Sequence, residues 1–183
     1  GPVDLYILEL SSFQLETTQR LALKAAAVLN VTSDHLDRYA SLADYAAAKA
    51  RIFTHCDTAV INLDDPLVVA MQHATPRTFT YSLQTAAAAD FSLATNPETH
   101  QPWLTRRGEV LLPAAAIKLA GLHNVANALA ALALGEALRL PRAAMLEELQ
   151  EFAGLPHRTE WVADVDAVRY LNDSKGTNVG ATL

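Results

Sequence analysis

The stretch LYILELSSFQLE, Leu5 to Glu16, decides how this chain is read. Leu5 to Leu8 is an apolar run of strand length, and it ends on Glu9, a carboxylate that a strand buried on both faces would not carry without a reason. Ser11, Ser12 and Gln14 follow as a polar turn with helix-start chemistry. The spacing therefore predicts a strand over 5–8 with Glu9 at its carboxyl end, the position where open α/β sheets place their ligands. Taken alone, Glu9 reads better as the mark of an edge strand with one solvated face.

Working outward, the same pattern of apolar run then polar loop recurs. Ala25 to Asn30 leads into Val31-Thr32-Ser33-Asp34-His35, and a helical turn over 34–39, capped by Ser33 or Asp34, is expected to hold His35 at the sheet's carboxyl end beside Glu9. Ser41 and Asp44 resemble a capping box opening an Ala-rich helix that carries Lys49 and runs to about Phe53. Thr58 to Leu63 and Arg77 to Ser82 read as strands, and Asp65-Pro66 opens a short helix between them, to about Gln72. Strands alternating with helices predict a mostly parallel sheet flanked by helices. Residues 90–119 change character, with three short strands separated by Pro, Asn and Gly, and predict a small antiparallel ribbon decorating that sheet. A long Ala/Leu helix follows from Val125 to about Leu138, and Pro141 opens another ending near Gly154. Leu155-Pro156 marks a linker, and a hairpin is expected around Asp164-Val165-Asp166. These signals place a boundary at about residue 155, with 1–154 as one partial domain and 155–183 as the start of the next.

The totals limit the functional classes. The chain has 183 residues, 51% hydrophobic and 19% charged, which is enough to bury a core. A formal charge of −6 without a Lys/Arg cluster argues against a nucleic-acid surface. No apolar run reaches a membrane span, and Cys56 is the single cysteine, which excludes a thiolate metal cluster within one chain. A soluble cytoplasmic protein is the expectation. The abrupt opening into a strand and the stop at Leu183 after a Gly/Thr/Asn-rich turn read as a fragment of a larger protein.

Three sets of residues could carry chemistry. Glu9 and His35 can each ligate a divalent metal. Lys49 cannot as an ammonium, so beside them it must pair with a phosphate, form a salt bridge, or be carbamylated into an anionic oxygen ligand. Singly, His35 reads better as a capping or core histidine and Lys49 as a solvated helix lysine. Asn124 and Asn127 lie three apart on one helix face, and their amides donate and accept as an adenine edge requires. The plainer reading has Asn124 capping the helix. His157-Arg158 and Asp173-Ser174-Lys175 offer cations for phosphates and a carboxylate for ribose hydroxyls, or ordinary surface charge. The Gly-rich run from Gly176 lacks the Gly-Lys-Ser/Thr ending of a phosphate loop, and a Walker A motif is absent from the sequence.

Six segments in order, LELSSFQLETT, NVTSDHLDRY, YAAAKARIF, GLHNVANALAALAL, GLPHRTE and NDSKGTNVGAT, resemble the Mur ligase family of ATP-dependent amide-bond-forming enzymes. The first and last look most like the members that add D-glutamate. The resemblance implies a central ATPase domain, here without its phosphate loop, and the start of a Rossmann-like C-terminal domain. It implies ATP and two Mg²⁺ as cofactors, with UDP-N-acetylmuramoyl-L-alanine and D-glutamate as substrates, joined through an acyl phosphate in peptidoglycan synthesis. Glu9 would bind one Mg²⁺, and His35 with carbamylated Lys49 the other. Asn124, Asn127, Arg158 and Asp173 would bind the nucleotide, Lys175 and Thr177 would face the reacting centre, and Ser11 and Gln14 would touch the muramoyl substrate. On this reading the parent is a monomeric bacterial enzyme, the 183-residue chain alone is inactive, and its uncovered sheet edge favours self-association. The alternatives are a folylpolyglutamate-synthetase-like ligase of the same superfamily and a non-catalytic nucleotide-binding module.

Overall fold

The computed structural model describes residues 3–35, 37–71, 75–119 and 121–176. Strand β2 (Thr58–Asn62) is the centre of the fold, and its burial explains the rest. Val60 and Ile61 are both fully buried although they point to opposite faces, which requires a helical layer on each side of the sheet. On one side Ala59 and Ile61 pack with Tyr45, Ala46 and Ala50 of helix α2 (Leu42–Ala50) and Val68 of α3 (Pro66–Ala70). On the other side Val60 packs with Val125, Ala128, Leu129 and Leu132 of α4 (Leu122–Ala137).

The sheet has six strands in sequence order. Strands β1 (Ala26–Val28), β2, β3 (Arg77–Ser82) and β4 (Phe91–Thr95) are parallel neighbours. Strands β5 (Pro102–Arg106) and β6 (Glu109–Pro113) continue it antiparallel. The ribbon expected from residues 90–119 thus extends the sheet, because β4 pairs with β3 through Tyr81 and Ser82. An ionic network holds it to the helical layer: Arg106 engages Glu136 of α4, and Arg142 of α5 (Arg142–Glu151) bridges Glu136 and Glu109. Gly135 admits Met145 of α5, whose sulfur would lie 2.1 Å from a Cβ at that position.

Several local signals act as read. Ser41 caps α2, its hydroxyl accepting the Asp44 amide at 3.1 Å. Asp65 caps α3, with Pro66 in the first turn, and the helix ends at Ala70 with Met71 as its C-cap; Gln72, the expected end, lies outside the described residues. Other expectations fail. Leu5 to Leu8 is no strand: the segment forms no ladder, and Ile7 is 88% exposed. A strand persists only where a neighbour takes its backbone hydrogen bonds, and the outer edge of β1 has no partner strand among the described residues. Helix α4 begins at Leu122, one turn earlier than expected, with Gly121 at φ 97° as its N-cap. Asn124 therefore lies inside the helix and does not cap it.

Strands β7 (Glu160–Val165) and β8 (Val168–Asn172) form a separate two-stranded sheet. Its turn residues Asp166 and Ala167 both have positive φ, 50° and 63°. A two-residue turn of that hand matches strand twist but strains a residue bearing a Cβ. No helix among the described residues is long and apolar enough to cross a membrane.

Two stability outcomes follow from this packing. Ile61→Ala is expected to cost about 2–5 kcal/mol in urea unfolding, whereas Val110→Ala, at a half-exposed edge position, changes it by less than about 0.5 kcal/mol. Ala167→Gly is expected to slow amide exchange in the β7–β8 ladder, since it relieves roughly 1 kcal/mol of left-handed strain.

Candidate functional site

Helix α1 (Ser12–Thr17) starts with a reciprocal cap. The Gln14 amide donates to Ser11 Oγ at 3.3 Å, and the Ser11 amide donates to Gln14 Oε1 at 2.8 Å. The two residues expected at the muramoyl substrate thus hold each other at a helix start. At the other end, Arg51 Nε donates to the Leu15 carbonyl at 2.8 Å, and a second guanidinium nitrogen reaches the Glu16 and Thr18 carbonyls at 3.3 and 3.4 Å. These are the acceptors that a helix leaves unsatisfied. Arg51 directly follows α2, so α1 is fastened to the helix that carries Lys49.

The loop after β1 is folded onto the same pair of helices. His35 sits at φ 54°, a conformation more tolerable for His than for most residues. The Asp34 carboxylate accepts its amide at 2.9 Å, and its carbonyl accepts the amides of Arg38 and Tyr39 at 3.0 and 3.1 Å. These bonds have the spacing of the expected helical turn, while His35 itself stands in a left-handed conformation. The His35 ring meets Phe13 edge-on at 5.0 Å and Tyr45 at 5.9 Å, and Phe13 stacks on Tyr39 at 6.1 Å. Glu16 accepts Arg38 Nη2 at 2.5 Å and the Tyr39 hydroxyl at 2.6 Å, while the Arg38 guanidinium lies 4.7 Å from the Phe13 ring centre. Arg38 first, then the Tyr39 hydroxyl, holds the Glu16 carboxyl below the usual carboxylate range.

Lys49 lies one turn beyond Tyr45, with its ammonium 4.9 Å from the centre of that ring. The structure thus brings two of the three expected metal residues, His35 and Lys49, onto one tyrosine. Glu9 is not with them: it is exposed in the extended segment and forms no hydrogen bond or ion pair among the described residues. Among those residues no group of three or more His, Cys, Asp or Glu side chains converges as a metal site. The donor chemistry fits a cation at His35 and Lys49 only once Lys49 bears an oxyanion, because an ammonium has no lone pair to give. A cavity of about 170 Å³ lined by Leu23, Arg51, Ile52 and His55 lies at the amino ends of β1 and β2, away from His35. Cys56 is buried there beside β2, and burial pushes its thiol up, away from reactivity.

The remaining expected residues fall in two places. Asn124 is half-buried in the first turn of α4, with its amide nitrogen 3.0 Å from His123 Nε2, and Asn127 is exposed one turn on. At the junction before β7, the Thr159 amide donates to Asp173 at 3.0 Å and the Lys175 amide to the His157 carbonyl at 3.1 Å. The linker and the turn after β8 are therefore one structure. Arg158 and Lys175 are exposed and make no ion pair among the described residues. Thr177 lies outside the described residues. The sequence reading did not single out Phe13, Glu16, Tyr39, Tyr45, Arg38 or Arg51. The S-x-x-Q cap was legible, but Arg51 and Glu16 act across 36 and 22 residues of chain, which no local pattern reports.

Residues 2–135 match the model of the Mur ligase middle domain. The chain is 55% identical over 180 residues to UDP-N-acetylmuramoylalanine--D-glutamate ligase of Nitrosococcus oceani, covering 98% of this chain and 39% of that protein. It is 48% identical over 180 residues to the enzyme of the same name from Escherichia coli strain K12, covering 98% and 40%. The chain thus spans about two-fifths of the length of these relatives. Among solved structures, a UDP-N-acetylmuramoyl-L-alanyl-D-glutamate--2,6-diaminopimelate ligase superposes with a TM-score of 0.68 at 28% identity, over 86% of this chain and 34% of that one. The Thermotoga maritima UDP-N-acetylmuramate-alanine ligase shares the fold, with a TM-score of 0.66 at 24% identity over 91% of this chain and 37% of that one.

The Glu16 clamp has a pH signature. A carboxyl whose folded pKa is depressed stabilises the fold above its unfolded pKa, and that contribution is lost as pH falls through the folded value. Thermal unfolding of wild type and Glu16→Gln is therefore expected to differ most at neutral pH and to converge as pH drops below the ordinary carboxylate range.

Proposed function

The chain belongs to the Mur ligase family through its middle domain, and from that premise we propose that it is the central part of a ligase that adds D-glutamate to UDP-N-acetylmuramoyl-L-alanine in peptidoglycan synthesis. The observation that carries this reading is identity of 47–55% to proteins of that name over 97–99% of the chain.

The chemistry to be done is attack of a substrate carboxylate on the γ-phosphorus of ATP, with ADP leaving, followed by attack of the D-glutamate amine on the acyl phosphate, with phosphate leaving. Each first-step partner is an anion, so most of the catalytic work is charge neutralisation and alignment. Mg²⁺, held by His35 and by Lys49 as its carbamate, would supply that neutralisation when bound. Glu9 would hold a second Mg²⁺, which would offset negative charge on the nucleotide when bound. Asn124 and Asn127 bind the adenine edge, with donors and acceptors on the same amides. Arg158 binds phosphate oxygens and Asp173 a ribose hydroxyl through the carboxylate oxygen that does not take the Thr159 amide. Lys175 and Thr177 face the transferring group. Ser11 and Gln14 hold α1 in register with the acceptor, and Ser11 offers it a hydroxyl.

These assignments make 155–183 the beginning of a second domain that closes on the first, and make the 183-residue chain alone inactive. They also place the full-length protein in the bacterial cytoplasm, where its nucleotide substrates are.

Phosphate release from ATP by the full-length protein is expected to require both UDP-N-acetylmuramoyl-L-alanine and D-glutamate; release indifferent to both would discard this substrate pair. Lys49→Ala is expected to lose about a hundred- to a thousandfold in kcat, as removal of a key charge-stabilising group does, with partial recovery on adding short carboxylates. Activity at the wild-type level in that variant would refute the carbamate.

A further inference from the structure

The loop that carries His35 is gripped at its root as well as at its tip, and the grip comes from residues to which the proposed chemistry gives no part. Asp65 is the centre of it. Its Oδ1 accepts the amides of Leu67 and Val68 at 2.9 and 3.2 Å, capping α3. Its Oδ2 accepts the amide of Val31 at 2.7 Å, across 34 residues of chain. The carbonyl of Leu29, two residues earlier, is taken from the other side by Asn62 Nδ2 at 2.9 Å and by the Tyr81 hydroxyl at 3.2 Å. Burial, followed by the nearby Asp64 and Asp65 carboxylates, raises the Tyr81 phenol so that it stays a neutral donor. Val31 itself is buried with Tyr45 and Val68. One donor and one acceptor of the backbone that leaves β1 are thus fixed by side chains from the carboxyl ends of β2 and β3, only four residues before His35.

We propose that Asp65 is a positioning residue for His35, acting through the Val31 amide to fix the direction in which the 32–35 loop leaves the sheet. This rests on the proposed role of His35, but the grip itself is testable without it. Oxygen at both carboxylate positions is needed, because each faces backbone N–H groups. Asp65→Asn keeps an oxygen for the helix cap and turns an NH₂ toward the Val31 N–H, so it severs the tether and spares the cap.

The test compares wild type, Asp65→Asn and Tyr81→Phe in the full-length protein, by hydrogen exchange of peptides covering 29–35 and by steady-state ligation. Asp65→Asn is expected to speed exchange in 29–35 by about tenfold or more, the effect of losing a charge-assisted hydrogen bond, with exchange in α3 and β2 unchanged. Its kcat is expected to fall by a similar factor with KM for ATP within twofold, since the nucleotide-binding residues are untouched. Tyr81→Phe, which removes only a hydroxyl, is expected to move both readouts in the same direction by roughly two- to threefold. Unchanged exchange in 29–35 in both variants would overturn the proposal, as would faster exchange spread evenly over the chain, the mark of a merely structural residue. Faster local exchange with an unaltered kcat would overturn the link to His35. If the wild-type protein ligates nothing, the ligase reading fails, and the exchange comparison still decides whether Asp65 holds the loop.

Discussion

The burial of β2 on both faces constrains everything else. With Val60 turned into α4 and Ala59 and Ile61 turned into α2 and α3, neither face of the strand can meet water. The chain must therefore cross from β1 to β2 and from β2 to β3 over one face, and return along the other with α4. Parallel pairing is the consequence, and parallel pairing collects the loops that follow β1, β2 and β3 at one end of the sheet. The functional candidates inherit their place from this requirement.

At that end the polar groups divide into two kinds. Those from β2 and β3 are spent on structure: Asp64 accepts the Ser82 hydroxyl at 2.5 Å and the Leu83 amide at 2.6 Å, and Asn62, Asp65 and Tyr81 hold the backbone of 29–31. Burying these groups is tolerable because they are hydrogen-bonded. The loop after β1 is different. Its His35 ring lies against Phe13 and Tyr45, and Lys49 of α2 lies against the same tyrosine. A rigid polar base beneath a loop of titratable groups suits a site that must hold charged partners in fixed geometry.

How much of this the sequence carried depends on the range of each interaction. Strand β3 was legible at both bounds, and the caps at Ser41 and Asp65 were legible because capping is settled within three residues. The 5–8 run misled for the complementary reason. Its composition suits a strand, but a ladder needs a neighbour, and composition does not report whether one is present. Asn124 misled through its rank as a capping residue, when Gly121, free to adopt φ 97°, starts the helix a turn earlier. His35 and Lys49 were singled out in sequence as candidates, but the tyrosine that both touch was not. A ring that serves as floor to two polar side chains looks in sequence like any core aromatic.

That ring also bears on the chemistry proposed for Lys49. The ammonium over Tyr45 gains a cation–π contact worth about 0.5–1 kcal/mol at a partly exposed position. Carbamylation removes the positive charge and puts oxyanions in its place, and the face of an aromatic ring carries negative potential. A carbamate therefore has no reason to lie where the ammonium lies. The lost contact is too small to prevent the modification, being less than a tenfold change in an equilibrium constant, but repulsion from the ring face favours a different rotamer. The most direct movement away from the ring is about the flexible lysine stem, while His35 stays fixed by Phe13 and by the Tyr45 edge contact. On the proposed chemistry Tyr45 would thus act on the two residues in opposite senses, holding the imidazole in place and releasing a lysine that had become an anion.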